Sequence, residues 1–325
     1  MKRALSLILT CVLVVTALFT FSSCGKNDST TIRIAVLNGT TGFGMAKLME
    51  DSANGSSENK YEFTVETDAT NIIALLTAGE IDMAALPTNA AANVYNKTNG
   101  QVQVLAINTL GVLYLIEKDD QISSIEDLNG KTIYVPAQNP TFITKYILDS
   151  HGINATIDST TFSTPALLQQ AVISGQVDLA VLPQPVVTAA IAGAKKANNN
   201  YSIALDLTKE WDNIPGSEKL VQGCIVVRKD FAENNPDAVN AFLNEYEKSI
   251  NYLNENPSDA AALIVEHGIF ANQAVAETAI PKCNVTFMKG EEMKSAMSAF
   301  ITAMYNVAPQ SVGGKIPSSD FYYIP

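Results

Sequence analysis

Leu76-Thr-Ala-Gly-Glu-Ile-Asp-Met-Ala-Ala-Leu-Pro87 and Val172-Ile-Ser-Gly-Gln-Val-Asp-Leu-Ala-Val-Leu-Pro183 are two copies of one pattern. Gly79, Asp82, Ala84, Leu86 and Pro87 return as Gly175, Asp178, Ala180, Leu182 and Pro183 at a constant offset. Before each glycine the apolar spacing is helical (Ile72, Leu75, Leu76; Leu167, Leu168, Val172), and the glycine supplies the left-handed residue that ends a helix. The apolar run that follows is too short for a helix. It fits a strand buried on both faces, as in a parallel sheet. Each Pro closes its strand and opens a strand-to-helix loop, Thr88-Asn89 in one copy and Gln184-Pro185 in the other. In open α/β sheets such loops lie at the carboxyl ends of the strands, where ligands bind. One such loop in each half points to a ligand held between two lobes.

The 325 residues suffice for two domains with separate cores. Lys2-Arg3, the uncharged run 4–21 and Ser22-Ser23-Cys24 describe an export signal. The run approaches the minimum for a membrane span, but Cys24 favours a bacterial lipoprotein signal, which the segment resembles. There the cysteine becomes the lipidated first residue, with Phe21 in place of the usual Leu. Residues 1–23 are therefore expected to be removed, and 24–31, small and polar, to act as a tether.

Removing 1–23 takes away two basic and no acidic residues, leaving 19 Lys+Arg against 33 Asp+Glu, a net charge of −14. So acidic a surface repels nucleic acid. Cys224 and Cys283 can pair in an exported protein or remain buried thiols; the sequence does not choose.

Around the repeats, 31–37 reads as a first strand followed by the Gly-rich loop Asn38-Gly-Thr-Thr-Gly-Phe-Gly44. The loop has neither the Lys-Ser/Thr of a Walker A motif nor a dinucleotide fingerprint. It reads as a loop whose amides and hydroxyls face a polar or anionic ligand. Further strands are expected at 61–66, 102–107, 111–116, 132–135, 156–161, 201–207 and 219–228, and the chain is helical from Asn235 onward. The expected organisation is α/β, with each lobe a mostly parallel sheet flanked by helices. Residues 32–118 and 222–325 form lobe one and 119–221 lobe two.

Val135-Pro-Ala-Gln-Asn-Pro-Thr-Phe142, Val226-Val-Arg-Lys-Asp-Phe231, 235–246, Asn256-Pro257 and Pro309-Gln-Ser-Val-Gly-Gly-Lys315 join the paired Gly-x-x-Asp loops in a recognisable order. In that order the chain resembles the substrate-binding lipoproteins of ABC importers of the nitrate, sulfonate, taurine and thiamine-precursor type. The resemblance implies a type II periplasmic-binding-protein fold. It also implies a small polar or anionic ligand, a permease with its ATPase as partner, a lipid anchor on the outer face of the bacterial cell membrane, a monomer, and no cofactor. By position it implies a cleft lined by Asn38, Thr40, Thr41, Thr88 and Asn89 from lobe one and Asn139, Thr141 and Gln184 from lobe two, with Gln222 near the returning strand. Singly each is an ordinary turn or cap residue; as a converging set they read as a ligand site. Relatives often carry Trp-Glu-Pro where this chain has Leu182-Pro183-Gln184-Pro185, which argues against a cationic or large aromatic ligand.

Asp82 and Asp178 fall at the amino ends of their strands and are expected to cap the preceding turns. His151-Gly and His267-Gly read as helix ends, and no Cys/His cluster suggests a metal. Trp211 is expected to pack in the interior rather than stack on a ligand. Two alternatives share the fold: an enzyme of the menaquinone or thiamine-pathway type, and a ligand sensor without transport.

Overall fold

The computed structural model describes residues 30–324, so the signal, Cys24 and most of the tether lie outside the described residues. Among the described residues, eleven strands make two sheets. β1 (Thr31–Leu37), β2 (Lys60–Glu66), β3 (Met83–Pro87), β4 (Val102–Leu110), β10 (Val221–Arg228) and β11 (Val285–Met288) form the first, in the order β11-β4-β10-β3-β1-β2. β5 (Leu113–Lys118), β6 (Thr132–Tyr134), β7 (Thr156–Asp158), β8 (Leu179–Pro183) and β9 (Tyr201–Asp206) form the second, in the order β7-β6-β8-β5-β9.

The two repeats occupy equivalent places. Gly79 ends the helix Ala69–Ala78 at φ 75°, and Gly175 follows the helix Pro165–Ile173 at φ 72°. β3 pairs in parallel with β1, as β8 does with β6. On its other side each repeat strand takes an antiparallel neighbour that has just crossed from the other sheet. Pro87 faces Gly223 of β10, and Pro183 faces Leu113 of β5. The match extends to backbone bonds: Arg228 N donates to Asp82 O, and Lys118 N to Asp178 O, both at 2.9 Å.

This exchange corrects one expectation. Residues 113–118, placed in lobe one from the sequence, pair with β8 and β9 of the second sheet. The crossover after β4 is only Gly111 and Val112, so pairing resumes at once on the new partner. The crossover is held tightly: Val112 N donates to Gln222 Oε1 (2.7 Å) and Asn284 Nδ2 to Gly111 O (2.6 Å). A Cβ at Gly111 would stand 2.1 Å from Thr208 Oγ1 and 2.9 Å from Leu220 Cδ2, both in the return crossover. The two crossovers are therefore in direct contact.

Cys224 and Cys283 are separate thiols, and no disulfide joins them. Cys224 faces a core shared with Ala84, Leu86 and Val226, whereas Cys283 belongs to a cluster with Val36, Phe43 and Ile225. Burial pushes both thiols up, Cys283 to about 12.

Other differences are local. Asp82 does not cap a turn: its carboxylate accepts from Arg33 N (3.0 Å), Nε (2.9 Å) and Nη2 (2.6 Å). β7 stops at Asp158 because that side chain accepts from Thr160 N and Thr161 N (both 3.0 Å), turning the chain. β11 and the short helix Leu207–Asp212 were not read from the sequence. His151 and His267 do end their helices, each followed by a glycine at positive φ. Trp211 is buried between Tyr146 (ring centroids 4.7 Å) and Phe300 (5.9 Å), and its Nε1 donates to Glu218 O (2.7 Å). It packs, as expected.

Candidate functional site

Eight of the residues expected to line a cleft sit in the loops or first helical turns that follow the carboxyl ends of β1, β3, β6 and β8, and the ninth, Gln222, lies in β10 beside the end of β3. Contact between the sheets is made there. Thr40, buried after β1, donates through Oγ1 to the carbonyl of Gln184, after β8, at 2.7 Å. Beside it, Tyr114 of β5 donates to Lys282 O at 2.9 Å. Burial pushes the Tyr114 phenol up, so it stays protonated and remains a donor.

Gln184 is the most constrained of the set. Its backbone N donates to Val112 O (2.9 Å), and its Oε1 accepts from Thr188 N (3.3 Å) and Thr188 Oγ1 (2.8 Å). A backbone N–H must meet an acceptor, so these bonds assign the oxygen and leave Nε2 as a free donor. The residue is 2% exposed, and Nε2 has no partner among the described residues. Leaving a buried amide donor unmet costs about 1–3 kcal/mol, so a polar ligand atom at this point would restore a bond the fold withholds.

Asn89 and Asn139 also bury an unmet polar atom, in their case an acceptor oxygen and not a donor. Asn89 Oδ1, on the first turn of the helix Thr88–Lys97, is buried without a partner, and so is Asn139 Oδ1 at the start of Asn139–Ser150. Asn89 and Gln138, the residue before Asn139, line one cavity of about 500 Å³, a second meeting of the two halves. The helices Thr88–Lys97, Asn139–Ser150 and Val186–Lys196 all begin at this end of their sheets. A helix N-terminus favours negative charge.

The other expected residues serve the fold. Thr88 Oγ1 donates to Val221 O (2.8 Å), Gln222 Oε1 holds the crossover, and Thr141 Oγ1 donates to Pro136 O (2.8 Å) within its own turn. Asn38 is exposed, and its side chain makes no hydrogen bond among the described residues. Thr41 is fixed through its carbonyl, which accepts from Asn108 Nδ2 at 3.0 Å. Sequence reasoning missed Asn108, Thr188 and Gln138. Asn108, a carboxamide directly after the apolar stretch Val104-Leu-Ala-Ile107 of β4, carried a readable signal; Thr188 lies one helical turn after Gln184.

Taken together, these side chains are neutral hydroxyls and carboxamides set beside helix N-termini, an arrangement that binds through hydrogen bonds and dipoles. Among the described residues no group of three or more His, Cys, Asp or Glu could hold a metal ion, and no helix is long and apolar enough to cross a membrane.

Comparison with known proteins adds a family and a fold. A family model described as NMT1/THI5 like matches residues 60–260. No curated protein matches the sequence. The crystal structure of an ABC transporter from Parabacteroides distasonis superposes with a TM-score of 0.76 at 26% identity, over 91% of this chain and 99% of that one. The periplasmic aliphatic sulphonate binding protein SsuA from Escherichia coli gives 0.70 at 13% identity, over 91% and 92%. The periplasmic nitrate-binding protein NrtA from Synechocystis PCC 6803 gives 0.61 at 14%, over 90% and 92%.

Proposed function

Since the chain belongs to the NMT1/THI5-like family and has the fold of type II periplasmic binding proteins, we propose that it is the solute receptor of an ABC importer. It captures a small polar or anionic solute between its two sheets and presents the closed form to a membrane permease. The observation that carries this reading is the Gln184 loop: it touches Thr40 of the other sheet while burying an amide donor that no protein group meets. A solute accepting from that donor ties the loops together, and so selects the closed arrangement. The related structures include binding proteins for aliphatic sulphonate and for nitrate, and anion capture by amides and hydroxyls needs no arginine.

Residues 1–23 direct export, and Cys24 carries the lipid that holds the receptor at the outer face of the cell membrane. The nine residues from Asn38 to Gln222 frame the cleft, with Gln184, Asn89 and Asn139 touching the solute, Thr40, Thr41, Thr88, Thr141 and Gln222 holding the backbone around it, and Asn38 at its exposed edge. The receptor works as a monomer and does no chemistry on its cargo.

A thermal-shift panel of nitrate, small sulfonates, pyrimidine precursors and small carboxylates tests this. One of them should raise the melting temperature in proportion to ln(1 + [L]/Kd) and be recovered chemically unchanged. No shift from any of them at millimolar concentration contradicts the receptor reading. Recovery of a transformed molecule would favour the enzyme alternative.

A further inference from the structure

We propose that the cavity of about 500 Å³ beside the cleft is a second binding chamber, which takes the acid-bearing body of an organic anion while the rest of that solute reaches the cleft. This rests on the receptor reading and extends it. The chamber lies between the helices Ala69–Ala78 and Thr88–Lys97, is capped by the C-terminal tail at Gln310 and Ser311, and is bordered by Gln138 from the other half.

Three observations carry the proposal. First, Asn89 is 8% exposed and lines the chamber with its Oδ1 unpartnered, and Ser311 Oγ on the tail side is likewise buried without a partner. Second, the electrostatics run against the rest of the molecule. The chamber has a cation, Lys97, that forms no ion pair among the described residues, and it has no carboxylate among its lining residues. The cavity beside Arg228 carries Asp230, the one along Gly290–Val307 carries Glu218 and Glu291, and two near the tail carry Asp320. In a chain of net charge −12, a chamber lined by a lysine and by no acidic group favours an anion. Third, the lining runs the length of the helix Thr88–Lys97, and at the Asn89 end the helix starts with Pro87 at its N-cap and no side-chain cap, so an anion is favoured at that end, with Lys97 at the other.

Size narrows the class. The volume falls within the range of small-molecule sites and exceeds what a nitrate or sulfate ion fills. The walls offer hydroxyls and carboxamides, Thr77 and Asn93 among them, beside the apolar side chains of Ile73, Ala90 and Val94. The chemistry fits a small organic acid that also carries hydroxyl or amide groups.

The test is titration calorimetry with gluconate, N-acetylaspartate and isethionate against the wild-type chain and three variants. Ala90→Leu fills the chamber from a helical position, Lys97→Gln removes only its charge, and Gln184→Leu alters the cleft. The proposal expects at least one probe to bind the wild type, to be lost in Ala90→Leu, and to bind Lys97→Gln about two- to fivefold more weakly, a difference that shrinks with added salt. If Ala90→Leu fails to fold, Lys97→Gln decides. Equal binding to the wild type and both chamber variants, with loss only in Gln184→Leu, overturns the chamber and leaves the receptor intact. Failure of every probe to bind the wild type at millimolar concentration overturns the chamber, while the receptor reading is judged on its own panel of smaller solutes.

Discussion

Thr40 Oγ1 lies 2.7 Å from the carbonyl oxygen of Gln184, so a hydroxyl from the loop after β1 satisfies the backbone of the loop after β8. Replacing Thr40 with Val keeps the shape and deletes the donor. The carbonyl then stays buried and unmet, which is expected to cost about 1–3 kcal/mol. Urea unfolding should show a lower midpoint with an unchanged slope, and an unchanged midpoint would mean that this contact does not hold the halves together.

The repeat is symmetric in sequence but not in energy. Asp82 is 3% exposed and takes three hydrogen bonds from Arg33, whereas Asp178 is exposed. Asp82→Ala should destabilise by about 2–4 kcal/mol, below the cost of a fully buried broken pair because Arg33 is half exposed. Asp178→Ala should stay within about 0.5 kcal/mol of wild type. Thermal unfolding of the two variants side by side checks the contrast.

Both thiols are free, buried and held above their ordinary range by burial. Neither should react with iodoacetamide at pH 8 in the native protein, and both should react in denaturant. Peptide mass spectrometry should locate the label at Cys224 and Cys283 only after unfolding. A native Cys224–Cys283 crosslink would contradict the core arrangement.

Asp158 is held down to a pKa of about 2, first by the hydrogen bond from the Thr161 side chain and then by backbone N–H groups of the turn. A depressed carboxylate contributes stability that is complete above its unfolded value of about 3.9 and is lost as pH falls through the folded value. The turn after β7 should therefore hold at pH 4 and loosen as the pH approaches 2. An NMR titration of the Asp158 carboxyl should show its midpoint near that lower value, and Thr161→Val should raise it.

Much of the scaffold was legible because its signals are local. The left-handed glycines of both repeats and the double-sided burial of β3 and β8 follow from residues within a few positions of one another. What the sequence hid depends on neighbours that meet only in space. Leu113-Tyr-Leu-Ile116 reads as a strand in either half, and the antiparallel vacancy beside β8 decides where it goes. Asp82 and Asp178 look alike until β1 brings Arg33 to one of them, while β6 offers the other Thr132-Ile-Tyr. The candidate site divides the same way. The family resemblance, applied by position, suggested Gln184, Asn89 and Asn139, whose side chains each keep a buried unmet atom, but it did not show that Thr88, Thr141 and Gln222 spend their polar atoms on the backbone.

The central claim is that a solute bound between the sheets meets the free donor of Gln184. Titration calorimetry of the best solute from the thermal-shift panel, against the wild type and Gln184→Leu, tests it most directly. The account predicts that the variant folds with the same circular-dichroism spectrum and binds at least about tenfold more weakly, a loss of about 1.4 kcal/mol. Wild-type affinity in Gln184→Leu would contradict it.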